Sequence, residues 1–370
     1  MNLFSLNWIL EFYTQSSFKI KALFISIVVL TLLCIAVLLV LVTLRMKLYS
    51  RRNKTEVLKS NYEELIITLL YLDPEGLDYK VYREESISQL KEVLDREIER
   101  KVLNEILINL HRDIAGDMAN QIQDLYLELG LIKYAHKKLK SARWYVKIQG
   151  IRDLTQMQDR SIESKVMQLV NHKNKLLRNE AQLAIVRLFS VNGLSFLKDL
   201  HYAISEWQQL QLMAVIQQNV ELITPELKDF LKVKNVSVVQ FTLKLIRLFN
   251  QMVEPQDLKM LIEHPDSMVR QQAIELIAEL GLFDMKTFLK DQYYDLNKIE
   301  KLEVIHTLSQ LGTEEDLEFL IEQSGEEDFK ISLQAILALK EMIPPDSLKD
   351  KLDTIGVKNE EVYKYVMAGI

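Results

Sequence analysis

HPDSMVRQQAIELIAELG, residues 264–281, carries apolar side chains at Val269, Ala273, Ile274, Ile277 and Leu280. Intervals of three and four place them on one face of a helix. Arg270 sits directly beside this stripe, an awkward place for a charge that has no partner.

The pattern recurs along the chain with a constant stride, about 31 residues. From Val269 the stride reaches Glu300 and Ile331 forward, and Val238 and Trp207 backward; a step shorter by one then reaches Leu177, and a full one reaches Val146. Four residues after these anchors stand Gly150, Ala181, Gln211, Thr242, Ala273, Val304 and Ala335, most of them small. Eight residues on, the positions are Leu154, Ile185, Val215, Ile246, Ile277, Leu308 and Leu339, all aliphatic. Eleven on, six of seven are apolar. Offsets 0, 4, 8 and 11 make one helical face, so seven in-phase helices are expected.

Shorter helical stretches are expected between them, at 162–171, 194–204, 225–234, 255–263, 284–293, 314–323 and 346–354. Thr224-Pro225-Glu226 offers a cap followed by proline at the first helical position. Thr313 precedes two acids that suit a helix start, and Gly193, Gly281, Gly312 and Gly325 mark turns. Each unit therefore reads as a helical hairpin. One hairpin cannot bury its apolar face alone, so neighbours must stack.

Asp266-Ser267-Met268-Val269-Arg270-x-x-Ala273 resembles the second-helix signature of HEAT repeats, in the short bacterial form also found in phycobilin lyases. Leu177-Arg178-x-x-Ala181 is a second good match. Val146-Lys147-x-x-Gly150 and Glu300-Lys301-x-x-Val304 are looser, and Gln208, Val239 and Ser332 replace the basic residue in the remaining units. The resemblance covers roughly residues 143–357. It implies an all-α fold, a right-handed α-solenoid of about seven HEAT-like hairpins. The motif is specific for architecture and says little about chemistry.

Ala22–Leu44 carries no charge. Its 23 residues would rise about 34 Å as a helix, enough for a hydrocarbon core of about 30 Å. It is too long for a signal peptide and lacks a small-residue cleavage site. Arg45, Lys47, Arg51, Arg52 and Lys54 follow it without an acid, which places the C-terminal body in the cytoplasm by the positive-inside rule. Anionic lipid contact and topology setting explain these five bases equally well. Residues 1–21 form a short extracytoplasmic segment, with Phe4, Trp8, Phe12, Tyr13 and Phe18 suited to the opposite interface. The lone Cys34 lies mid-span and reads as apolar filler.

Residues 55–142 read as helical but out of phase with the repeat. Thr55–Leu72 is amphipathic and ends at the turn Asp73-Pro74-Glu75-Gly76. Tyr82–Ile114 carries an apolar stripe through Ile87, Leu90, Leu94, Ile98, Val102, Ile106 and Leu110, and a further helix, Asp117–Leu129, lies between Gly116 and Gly130. A helical cap for the solenoid, at 143–370, is the preferred reading of this connector; a dimerisation stalk is the other.

Beyond residue 54 the chain holds 39 bases and 51 acids, a net of −12. This disfavours nucleic acid as the bulk partner, although alkylpurine glycosylases share a similar architecture. No phosphate-binding glycine loop, nucleophile elbow or zinc-protease motif occurs. The six histidines are dispersed, so neither catalytic nor metal-ligating residues are assigned, and no cofactor is expected.

Solenoids present long surfaces. At offsets 3 and 10 most residues are polar; Leu210, Phe241 and Leu248 are the exceptions, with Arg187 and Arg247 beside them. They form a candidate partner site unless a neighbouring unit buries them. Lys147, Arg178, Arg270 and Lys301 form either an anion-binding row or, as preferred, an inter-repeat ladder, with Asp266 placed to pair with Arg270. The expected function is a membrane-anchored scaffold that binds a partner protein, not an enzyme. The resemblance also implies an alternative, a bilin-lyase-like protein that seats a tetrapyrrole. Bacterial proteins of similar layout are sometimes encoded beside membrane glycosyltransferases, which links the expectation to envelope polysaccharide systems.

Overall fold

The computed structural model describes residues 17–71, 79–218, 226–344 and 347–348. The N-terminal aromatics up to Tyr13, the Asp73–Gly76 turn, the Thr224-Pro225 helix start and most of 346–354 lie outside these residues. All regular structure among the described residues is helical. The chain divides into two compact units, Met1–Tyr134 and Ala135–Ile370.

In the first unit a single helix, Phe18–Tyr71, runs through the apolar segment and into the amphipathic stretch beyond it. It is long and apolar enough to cross a membrane, and among the described residues none of its most apolar stretch is buried. Ser26, Thr31 and Thr43 donate to the carbonyls three residues back, at 2.7, 2.8 and 2.9 Å. Their hydroxyls are therefore satisfied without water, as an apolar surrounding requires. Past the span, Ile66, Leu69 and Leu70 are buried. The helix packs there against Glu97–Asp113.

The long 82–114 stripe is broken. Tyr79–Val93 and Glu97–Asp113 are separate helices joined by a turn. Ile87, Leu90, Leu94, Val102 and Ile106 are buried, but Ile98 is 55% exposed. The turn resets the helical phase, so a stripe counted straight through it misplaces Ile98. Asp117–Glu128 and Leu131–Leu139 follow. Gly116 and Gly130 take φ of +75° and +71° at the turns, values that favour glycine. Tyr126, fully buried, donates to Asn104 at 2.8 Å, so its hydroxyl is not stranded.

In the second unit seven long helices begin, among the described residues, at 144, 175, 206, 236, 267, 298 and 329. Every interval between successive starts is 31, except that from 206 to 236, which is 30. Trp144–Gln156 packs on Lys175–Phe189, which packs on Glu206–Gln218; Val236–Phe249, Ser267–Glu279, Lys298–Leu311 and Phe329–Met342 likewise pack in series. The intervening segments mix α-helix with tighter 3-10 turns, as in Ser190–Asp199 and Lys228–Lys232. Pro255–Ile262 and Leu317–Ser324 are regular helices.

The short step falls between the third and fourth helices, not between the second and third. Trp207, expected as an anchor, is 69% exposed, and Gln208 beside it is 1% exposed. With Gln208 in the anchor position, offset 4 reads Gly150, Ala181, Leu212, Thr242, Ala273, Val304 and Ala335, every one buried. Offset 8 becomes Leu154, Ile185, Ile216, Ile246, Ile277, Leu308 and Leu339, also all buried. Each such aliphatic side chain contributes roughly 1.5–3 kcal/mol by leaving water.

Close packing selects the small residues. A Cβ on Gly150 would lie 2.5 Å from the Leu139 nitrogen and 2.9 Å from the Ala135 oxygen. The Trp144–Gln156 helix thus touches the preceding backbone directly, and only glycine fits.

Candidate interaction surface

The starts of the long helices share one design. Three residues before the last six anchors stand Asn174, Ser205, Asn235, Asp266, Asn297 and Asp328; Arg143 holds that place before the first and makes no cap bond. Asn174, Asn235, Asp266, Asn297 and Asp328 cap their helices by accepting from backbone N–H groups. Asp266 accepts from Val269 N and from Gln240 Nε2, both at 3.1 Å. Asp266 is therefore a helix cap, and contrary to expectation its carboxylate does not pair with Arg270.

Arg270 reaches backward and forward. It donates to the carbonyls of His264 and Pro265 at 2.7 and 3.0 Å, and to Glu300 at 2.8 and 3.1 Å. Glu300 is fully buried and also accepts from Ser267 Oγ and Asn297 Nδ2, each at 2.6 Å. Burial pushes the Glu300 carboxyl up, but the bonds from Ser267, Arg270 and Asn297 outweigh it and hold it below its ordinary value. Its Oε1 takes the bonds from Ser267, Arg270 and Asn297 Nδ2, and its Oε2 accepts from the Asn297 backbone N–H at 3.0 Å.

The other rungs differ. Arg178 donates to the His172 carbonyl at 2.8 Å and lies 4.0 Å over the Tyr202 ring. Lys301 sits 5.2 Å over the Tyr293 ring, so a π-face replaces the acid. Lys147 enters no ion pair among the described residues, and it is not a rung.

Gln209 is a rung that counting from Trp207 misses. It is 2% exposed, and its Nε2 donates to the Ile204 and Ser237 carbonyls, both at 3.3 Å. Its Oε1 accepts from Lys244 at 2.8 Å. The signal lies in the row of cap residues, which places Ser205 and hence Gln209 in register.

Asp316 is the second saturated acid. Lys286 and Lys290 pair with it at 2.5 and 2.7 Å, and the Thr313 backbone donates at 2.9 Å. Burial opposes its ionisation, yet these donors together hold the carboxyl at about 2.

The expected partner patch does not stay together. Phe241 is fully buried, Leu248 is half-buried and Leu210 is 56% exposed. The Val236–Phe249 helix is apolar around most of its circumference, and Val239, Phe241, Leu243 and Leu245 are all buried. Phe241 is therefore core. Arg247 pairs with Glu275 and Glu279 at 3.0 and 2.5 Å, so it joins adjacent helices. Arg187 is exposed and enters no ion pair among the described residues. After the apolar segment, Arg45, Lys47 and Lys54 are exposed, and Arg52 pairs with Glu56 at 3.1 Å. The side chain of Arg51 lies outside the described residues.

No group of three or more His, Cys, Asp or Glu residues that could hold a metal occurs among the described residues. No protein-family model matches the sequence, and no curated protein matches it.

Proposed function

We propose that this chain is a membrane-anchored scaffold. Its second unit is a HEAT-like α-solenoid of about seven hairpins that holds a partner protein at the membrane, with the body on the cytoplasmic side. The observation that supports this best is the series of seven long helices at near-constant intervals, together with an exposed apolar helix long enough to span a bilayer. The buried acids Glu300 and Asp316 serve neighbouring helices. Leu210, exposed beside Trp207 on one helix, is the partner contact. A membrane glycosyltransferase system is the class of partner suggested by resemblance.

Crosslinking in native membranes, followed by detergent extraction and mass spectrometry, tests this. A specific protein should be retained by the native chain and lost with Leu210→Asp, with thermal stability unchanged. Retention by the variant at the native level removes Leu210 from the contact. Protease added to inverted vesicles, but not to spheroplasts, should digest the body; the reverse result overturns the orientation.

A further inference from the structure

The two segments that lead into the first long helices of the second unit, 140–147 and 171–178, hold six Lys or Arg residues and no acid. Later segments in the same register lose this density of bases: 202–209 carries Glu206 and no base, 232–239 carries only Lys232, paired with Asp257, and Lys234, 263–270 carries Glu263 and Asp266, and 325–332 carries Glu326, Glu327 and Asp328. Lys140, Arg143, Lys173 and Lys175 are exposed, and none enters an ion pair among the described residues.

Apolar side chains stand among these cations. Trp144 and Tyr145 are 41% and 48% exposed, edge to face at 5.8 Å, and Leu176 is 59% exposed. Tyr145 and Leu176 occupy the same position, one repeat apart, in consecutive packed helices. Arg152 pairs with Glu180 in the next long helix, and Arg247 pairs with Glu275 at the same sequence separation of 28. This constant offset keeps the two first turns at one end of the pair.

We propose that this edge docks on an anionic lipid surface. Tryptophan and tyrosine favour the headgroup level of a bilayer, and unpaired lysines near it each gain about 1 kcal/mol from anionic lipid. A nucleic acid or acidic peptide would also attract the cations. The bilayer is favoured because the same chain carries a helix long and apolar enough to enter one. That tether keeps the edge at high local concentration beside lipid. The inference rests on the membrane-anchor reading above.

The chain has three tryptophans, and Trp8 and Trp207 can be replaced by phenylalanine to leave Trp144 as the sole reporter. Full-length W8F/W207F protein is reconstituted into liposomes containing anionic lipid with brominated chains. Trp144 emission should be quenched and blue-shifted. Quenching should be lost in zwitterionic liposomes, at high salt, and in the Lys140→Gln/Arg143→Gln/Lys173→Gln/Lys175→Gln variant. Flotation of that variant with the liposomes reports the anchor separately: failure to float removes the anchor, and flotation of native protein without quenching overturns the docking. Equal quenching in anionic and zwitterionic liposomes also overturns it. So does retention of nucleic acid or an acidic peptide, lost in the same variant, without lipid quenching.

Discussion

Gln209 and Arg270 make the same reach from corresponding places in two helices. Each bonds a carbonyl five residues earlier, Ile204 at 3.3 Å and Pro265 at 3.0 Å, and a group in the next helix. A neutral amide and a guanidinium thus do one job, which is to tie the turn before a helix to the unit that follows. Gln209→Ala takes a partner from Lys244, from the buried Ile204 carbonyl and from the part-buried Ser237 carbonyl, and should cost about 1–3 kcal/mol. Arg270→Ala leaves the buried Glu300 without its charge partner and should cost about 3–5 kcal/mol. Chemical denaturation of the detergent-solubilised chain measures both.

Phe241 separates core from surface. Phe241→Asp buries a charge where no partner waits, so it should unfold the second unit or lower its stability by more than about 4 kcal/mol. Leu210→Asp on the exposed face should change stability by less than about 0.5 kcal/mol. Thermal melts of the two variants side by side give the comparison.

Gly150 fills a contact that leaves no room for a side chain. Gly150→Val must push the Trp144–Gln156 helix away from the backbone of residues 135–139, at a cost of about 1–3 kcal/mol. The loss should appear as a lower denaturant midpoint with an unchanged slope.

Acid should weaken the Lys286–Asp316–Lys290 cluster. The folded carboxyl titrates at about 2, below its ordinary 3.8. Its stabilisation is therefore complete above the ordinary value and disappears as pH falls through the folded one. Asp316→Asn should be less stable at neutral pH by roughly 2–3 kcal/mol. It should also show a flatter loss of stability from about pH 4 toward pH 2. Urea midpoints across that range test the sign.

Much of the fold is legible in the sequence because burial at offsets 4 and 8 follows from helical periodicity alone, as Ala273 and Ile277 show. The misplacement at Trp207 comes from holding the stride at 31 where the helix starts at 206 and 236 are 30 apart. Tryptophan can remain in water, whereas Gln208 and Glu300 enter the core because bonding groups in the neighbouring long helix accept or supply protons. Such partners are invisible to a local count. Phe241 is misplaced because offset 3 is wet in most helices but not in one that is apolar nearly all round. Ile98 is misplaced because a short turn shifts the phase. The long apolar helix is legible from composition, but its unbroken run to Tyr71 is not, since two adjoining helical patterns carry no mark of whether a turn divides them.

The ties between neighbouring helices have a kinetic consequence. Those described above in the second unit connect residues no more than 35 apart, the longest being Lys244 to Gln209. During synthesis, each new helix leaves the ribosome when its earlier partner is already outside. Ser237 can meet Gln209 and Glu300 can meet Arg270 before the rest of the chain exists. Assembly can therefore advance from N- to C-terminus one helix at a time, with little loop entropy to overcome at any step. A nascent chain that has cleared the ribosome through residue 311 would already hold six long helices that protect one another from protease, with Phe329–Met342 still to come.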